Sequence, residues 1–361
     1  MHLAPRLFYK PHKPHKSHKS HKSYKSYKSH KSYILYIMYS SKQLLQMVED
    51  AIAALPLEQE PQGLYAPIRY VLSLGGKRIR PVLMLMAYNL YRDDVKPCLM
   101  PAVGLEVFHN FTLLHDDFMD KAEVRRGKMC VHRKWDDNTA ILSGDNMLVL
   151  AFKYMMECDV AKMPAVMRIF AKTAIEIDEG QQYDIDFETR NDVTEAEYIE
   201  MIRLKTSVLL ACALQIGATL AGASEQEAQT LYRYGECLGL AFQLQDDYLD
   251  VYGDPAVFGK KIGGDILCDK KTFMLINALL HASEEDRAEL QRWIGCKDCD
   301  PEEKIKTVTA LYTKIGVDRM AKERMNAYYV EAEACLNKVN LPEERKQMLR
   351  DVALELMGRQ K

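Results

Sequence analysis

The chain has 361 residues, 48% of them hydrophobic, which is enough to bury a large core, and its length allows either one big domain or two ordinary ones. Its formal charge of -2 conceals a split: residues 1–37 hold Arg6 and eight lysines with no acid, while the remaining 40 basic residues face 51 acidic ones, leaving about -11 on residues 38–361. An acidic body of this kind argues against a general nucleic-acid binder and suits a protein that holds divalent cations and uses them to recruit anionic substrates.

From about His12 to Tyr33 the chain repeats His-Lys-Ser and Tyr-Lys-Ser units, too polar to pack against anything, so a disordered tail is expected over 1–37, ahead of a functional unit over 38–361. His and Lys there could serve a metal-binding or polyanion-binding arm, but low complexity favours a non-native or over-extended start, with translation beginning at Met38 or Met47. The apolar patch Ile34 to Met38 is too short for a membrane span and no small-residue cleavage site follows it. Neither stable membrane insertion nor export is expected, and the location is expected to be cytoplasmic.

From Lys42 onward helical patterns follow one another, with breaks at Pro56 and Pro61, at Pro97 and Pro101, around 125–128, near Pro164 and at Gly222. A longer polar loop spans Gly253 to Lys271. Apolar residues recur at three- and four-residue spacing through 203–222 and 228–251, and no strict alternation is sustained, so the fold class is all-α. No shift in composition after Lys42 marks a boundary, which favours a single large helical domain. The nine cysteines, odd in number and mostly in apolar stretches, suit buried thiols in a reducing compartment. Cys296 and Cys299 form a lone C-x-x-C that, without a second pair or a nearby His, is weak support for zinc or redox chemistry.

Three segments carry chemistry. In Asp116-Asp117-Phe118-Met119-Asp120 and Asp246-Asp247-Tyr248-Leu249-Asp250, residues four apart share a helix face, so each segment presents paired carboxylates from an apolar helix. Carboxylates at such positions need hydrogen-bond partners or cations, and oxygen-only ligands favour Mg2+ or Mn2+ over zinc. A lone cluster of this type is usually a solvated helix end; two, each followed by bases, are harder to dismiss. Arg125, Arg126 and Lys128 follow the first, and Lys260, Lys261, Lys270 and Lys271 the second. The third segment, Gly75-Gly76-Lys77-Arg78-Ile79-Arg80-Pro81, has glycines that allow close approach to an anion, with Lys77 and Arg80 spaced to hold one diphosphate together. His109, seven residues before Asp116, lies two turns back on almost the same face.

Together with Gly180-Gln181, Lys205-Thr206, Phe242-Gln243 and Gly259-Lys260, these segments resemble the head-to-tail trans-isoprenyl diphosphate synthases of the polyprenyl synthetase family over about residues 45–355. The resemblance implies a helical bundle of the isoprenoid synthase type with a central cavity, a homodimer, and condensation of isopentenyl diphosphate with an allylic diphosphate. It implies three Mg2+ ions, with Asp116 and Asp120 ligating two, Asp246 a third, and Asp117 and Asp250 in support. Arg125, Lys205 and Lys260 then hold the allylic diphosphate; Gly76, Lys77, Arg80, His109 and Arg126 hold isopentenyl diphosphate without metal; and Thr206, Gln181 and Gln243 line the reacting centre. Asp247 joins the catalytic set and Lys270 the diphosphate-binding set. Rival readings are weaker: a class I terpene cyclase needs no second diphosphate site, a regulatory subunit would lose one acidic motif, and a polyanion-binding or metal-storage protein leaves both motifs unexplained.

Product length is expected from the α-helix carrying Asp116. At a rise of about 1.5 Å per residue, Thr112, Phe111 and Phe108 stand roughly 6, 7.5 and 12 Å from Asp116 along its axis. In the family, aromatic residues five and four before the first Asp mark one type of farnesyl producer, and small residues at both places accompany longer products. Large Phe111 with small Thr112 implies an intermediate stop, C20 geranylgeranyl diphosphate, with C15 farnesyl diphosphate as the alternative.

Overall fold

Several helix starts are written locally in the sequence. In the computed structural model, which describes residues 6–11, 33–254, 262–296 and 298–358, reciprocal capping boxes open three helices. Ser40 with Gln43 opens α1 (Ser41–Ala53), Thr194 with Glu197 opens α8 (Glu195–Ile202), and Ser224 with Glu227 opens α10 (Glu225–Tyr252). Between them lie α2 (Gln62–Ser73), α3 (Ile79–Asn89), α4 (Leu99–Met119), α5 (Val131–Lys134), α6 (Asp137–Met155), α7 (Met163–Thr189) and α9 (Val208–Ala221). After α10 come α11 (Gly264–Leu267), α12 (Phe273–His281), α13 (Glu284–Trp293), α14 (Pro301–Ile315), α15 (Val317–Lys338) and α16 (Glu343–Met357). The expected all-α architecture is present, and Pro164 and Gly222 sit at the first turn of α7 and the left-handed C-cap of α9.

Helices α3 and α9 are apolar on nearly every side and form the middle of the bundle. Helix α9 packs against α3, α7 and α10, while α4 lies along α6. The stretch Glu195–Ala221 is apolar and long enough to cross a membrane, but most of it is buried among these neighbours. Two apolar clusters result, one around α3, α4, α6 and α9, the other around α8, α12, α14 and the C-terminal half of α10. The two acidic motifs lie at the C-terminal ends of α4 and α10.

Within the segment expected to be disordered, Arg6–Pro11 (β1) pairs antiparallel with Tyr33–Met38 (β2), which differs from that expectation at its two ends. The difference has a sequence cause, since Tyr33-Ile34-Leu35-Tyr36-Ile37 is rich in β-branched and aromatic residues. Most of the His/Tyr-Lys-Ser repeat lies outside the described residues. A second hairpin, Val124–Arg125 (β3) with Lys128–Met129 (β4), turns at Arg126 and Gly127, both with positive φ as a two-residue hairpin requires.

Candidate active site

One cavity of about 330 Å³ gathers most of the residues singled out by sequence: Arg80, His109, Phe111, Thr112, Asp116, Arg125, Gln181, Lys205, Thr206, Gln243 and Asp246 all line it. They come from α3, α4, the β3–β4 hairpin, α7, α10 and a π-helical turn, Arg203–Ser207, that joins α8 to α9. The wider turn is set where α7 presses against it: a Cβ on Gly180 would lie 2.3 Å from the Lys205 amide nitrogen, so only glycine lets these backbones meet. That approach brings Lys205 and Thr206 to the cavity wall.

On the acidic side, Lys205 Nζ lies 2.6 Å from Asp184 Oδ2 and 3.5 Å from Asp116 Oδ1. Asp116 Oδ1 is buried and accepts no hydrogen bond. Burial and the neighbouring Asp116 push the Asp120 carboxyl above its ordinary value. Lys270 interacts with Asp184, Asp265, Asp247 and Asp116, and despite burial these acids hold its ammonium above the usual lysine range. The two acidic motifs therefore share Lys270, which interacts with Asp116 of the first and Asp247 of the second. Asp184, one turn beyond Gln181 on α7, belongs to this cluster and was missed by sequence; its only signal is that spacing.

The middle aspartate of each motif has a different task. Asp117 is buried and takes two hydrogen bonds from Arg125, at 2.8 and 2.6 Å, so it fixes that guanidinium at the cavity edge. Asp247 is buried against the Tyr198 hydroxyl, which donates to Oδ2, and burial pushes its carboxyl up to about 7. Gln243 donates to Asp247 at 3.4 Å and accepts from the Thr206 hydroxyl at 3.2 Å, so a polar chain runs from the cavity wall to Tyr198. Asp250 accepts from the Asp265 amide at 2.9 Å, a supporting contact that anchors the loop bearing Lys270.

On the basic side, Arg80 donates from Nη1 to His109 Nε2 at 3.0 Å. Burial and the surrounding arginines hold the His109 imidazole well below its ordinary range, so it is neutral and accepts. Burial lowers Arg80 to about 10, and its Nε is buried with no hydrogen-bond partner. Arg126 donates to the Gly75 carbonyl, and a Cβ on Gly76 would fall 2.9 Å from its guanidinium. Glycine at 76, with φ +134, is thus what admits Arg126 to this corner.

Lys77, expected to hold a diphosphate together with Arg80, is not among the residues lining this cavity. It precedes α3, where Arg78 adopts φ 46, and it lines a separate groove beside α1 and α16 with Leu45, Val352 and Leu356. The Arg78 side chain is drawn inward, to Glu106 at 2.8 Å, Glu49 at 2.9 Å and the Leu72 carbonyl, a buried ion pair that sequence did not anticipate. Lys260 lies outside the described residues. Phe108 is 1% exposed and does not reach the cavity; it backs Phe111, ring centres 5.6 Å apart, and leans on Phe170 at 5.1 Å.

The carboxylates fit a hard divalent cation. Asp116 Oδ1 has no hydrogen-bond donor, and Asp120 and Asp246 offer only oxygen. Among the described residues no three acidic, His or Cys side chains converge into a closed metal-holding group.

Fold and site define a class: an all-helical transferase with paired aspartate motifs facing one cavity and a separate arginine and histidine niche in the same wall. The chain belongs to the polyprenyl synthetase family, whose profile matches residues 61–312, and it is a prenyltransferase. It is 43% identical over 233 residues to a geranylgeranyl diphosphate synthase of Methanosarcina mazei, covering 64% of this chain and 72% of that one. The crystal structure of a geranylgeranyl pyrophosphate synthase superimposes with a TM-score of 0.86 at 43% identity, over 90% of this chain and 100% of the other. A geranylgeranyl pyrophosphate synthase of Corynebacterium glutamicum, crystallised with isoprenyl diphosphate and magnesium, matches with a TM-score of 0.75 at 28% identity, over 88% and 97% of the two chains.

Proposed function

We propose that this protein condenses isopentenyl diphosphate head to tail with allylic diphosphates, in a Mg2+-dependent reaction whose main product is C20 geranylgeranyl diphosphate. The reading rests on one observation: a single cavity holds a buried carboxylate oxygen that accepts no hydrogen bond, Asp116 Oδ1 with the Lys205 ammonium 3.5 Å away, and a buried donor without an acceptor, Arg80 Nε. The first calls for a cation-borne diphosphate, the second for a diphosphate bound directly.

Asp116, Asp120 and Asp246 hold the ions, Mg2+ by preference with Mn2+ as a substitute, and these supply the Lewis acidity that lets the allylic C–O bond ionise. Arg125, fixed by Asp117, and Lys205, fixed by Asp184, orient the leaving diphosphate. Arg80, Arg126 and neutral His109 grip the second diphosphate, placing its double bond toward the cavity. The Thr206 hydroxyl and the Gln243 carbonyl present oxygen dipoles to the cation, and the apolar wall of Phe111, Ile177 and Leu209 keeps water from quenching it. Phe111 and Thr112 form the floor for the growing chain.

The active form we infer is a homodimer. Leu142 and Val149 on α6 and Met156 at its C-cap, seven residues apart, are 60%, 65% and 43% exposed, an apolar stripe that a second copy would cover. Light scattering on the purified protein tests it: a particle of twice 41.5 kDa supports pairing and a monomer refutes it. Incubation with isopentenyl and dimethylallyl diphosphates, with and without Mg2+, tests the reaction itself.

A further inference from the structure

The C-x-x-C that sequence left without a task is closed in the structure as a Cys296–Cys299 disulfide, in the loop between α13 and α14. What its two arms hold is more informative than the bond. On the Cys296 side, the amide of the adjacent Gly295 donates to Asp269 Oδ2 at 2.8 Å. On the Cys299 side, the adjacent Asp300 caps α14, and one turn into that helix the buried Lys304 ammonium contacts Asp269 Oδ1 at 2.7 Å. The disulfide therefore ties together the two arms that grip the two oxygens of one carboxylate. Asp269 is itself in an uncommon conformation, φ 52, of the kind that persists only when its surroundings enforce it. The next residue is Lys270, which interacts with Asp116, Asp184, Asp247 and Asp265, and whose backbone amide donates to the Asp265 carbonyl at 2.9 Å.

We propose that Cys296 and Cys299 form a redox clamp that, when oxidised, fixes Asp269 and so positions Lys270 for the metal-borne diphosphate. Both cysteines are half-buried rather than sealed in the core, and thiols in this spacing exchange readily with small disulfides. On closing, the pair gives up two electrons and two protons to a small-molecule disulfide, whose own S–S bond breaks to leave two thiols. On opening by a dithiol, the transfer runs in reverse. Lys270 acts on the diphosphate; Asp269, which acts through it, is a positioning residue. The clamp rests on the proposed function for the identity of the ligand.

The test reads binding rather than turnover. Full-length protein is poised with oxidised or reduced glutathione, the disulfide is scored by the mass added on alkylation, and the affinity for inorganic diphosphate with Mg2+ is measured by calorimetry. The expected result is at least about fivefold tighter binding in the oxidised state, the lower end of coupling between linked sites. The Cys296→Ser/Cys299→Ser double variant should match the reduced protein in both buffers. Asp269→Asn should still form the disulfide yet lose the difference, and Cys268→Ser, at the exposed free thiol nearby, should keep it. Circular dichroism confirms that each variant is folded. Two thiols that stay open to alkylation in oxidised glutathione, or equal affinities in the two states, would overturn the clamp. If magnesium diphosphate responds to the redox state but no prenyl product forms, the clamp stands and the proposed reaction falls.

Discussion

Replacing Phe111 with Ala should lengthen the product by one isoprene unit. The Phe111 ring forms part of the cavity floor, and behind it stands Phe108, three residues earlier on α4 and buried against Phe170. Removing the ring moves the floor back to Phe108, a retreat of about 4.5 Å along the helix axis. An isoprene unit adds four backbone carbons, and four bonds of about 1.5 Å in a zigzag project to roughly 5 Å. The space gained matches one unit, so the main product should shift from C20 to C25, while Phe108→Ala/Phe111→Ala should go further, until growth meets Phe170. Thr112→Phe should shorten the product toward C15. Because Phe111 is only half-buried, its loss should cost less than the roughly 3–5 kcal/mol of a fully buried Phe-to-Ala change. Mass spectrometry of the dephosphorylated products, beside a melting curve, gives the answer. An active, folded Phe111→Ala enzyme with the wild-type product distribution would refute this placing of the floor.

Asp116→Ala or Asp246→Ala should lower kcat by about three orders of magnitude or more, since several kcal/mol of transition-state stabilisation disappear with the metal ligand; steady-state kinetics at saturating Mg2+ checks this. Asp247 supplies a pH dependence: its folded pKa of about 7 lies above the ordinary 3.8, so its contribution to stability is fully present below about pH 4 and is lost as pH rises through 7. In metal-free protein, Asp247→Asn should flatten the fall of Tm between those limits, and an unchanged slope would count against the buried carboxyl. A chain starting at Met38 should keep its Tm and activity, because the folded body is already anchored there by buried Met38 and by the Tyr39 amide on Asn89 at 3.0 Å; loss of folding on that deletion would show that the preceding segment is structural.

Much of this site was legible because its signals are local. Carboxylates four apart on an apolar helix, His109 two turns before them and the break around 125–128 all follow from patterns within a few residues. The inward turn of Arg78 was not legible, because its buried partner Glu106 lies 28 residues away in sequence. Asp184 and Tyr198 were missed for the same reason: they act through Lys205 and Lys270 in the first case and Asp247 in the second, which only packing brings within reach. The resemblance separated Asp116 from Asp117, but what Asp117 supports could not be read, since its partner Arg125 is brought to it by the hairpin.

The measurement that tests the central claim most directly is product analysis after incubation of the purified protein with isopentenyl diphosphate and dimethylallyl, geranyl or farnesyl diphosphate, with Mg2+ and with chelator. The expected result is all-trans C20 diphosphate from each primer, formed only when Mg2+ is present. Absence of any condensation with Mg2+, equal condensation in chelator, or chains of C30 and longer would contradict it.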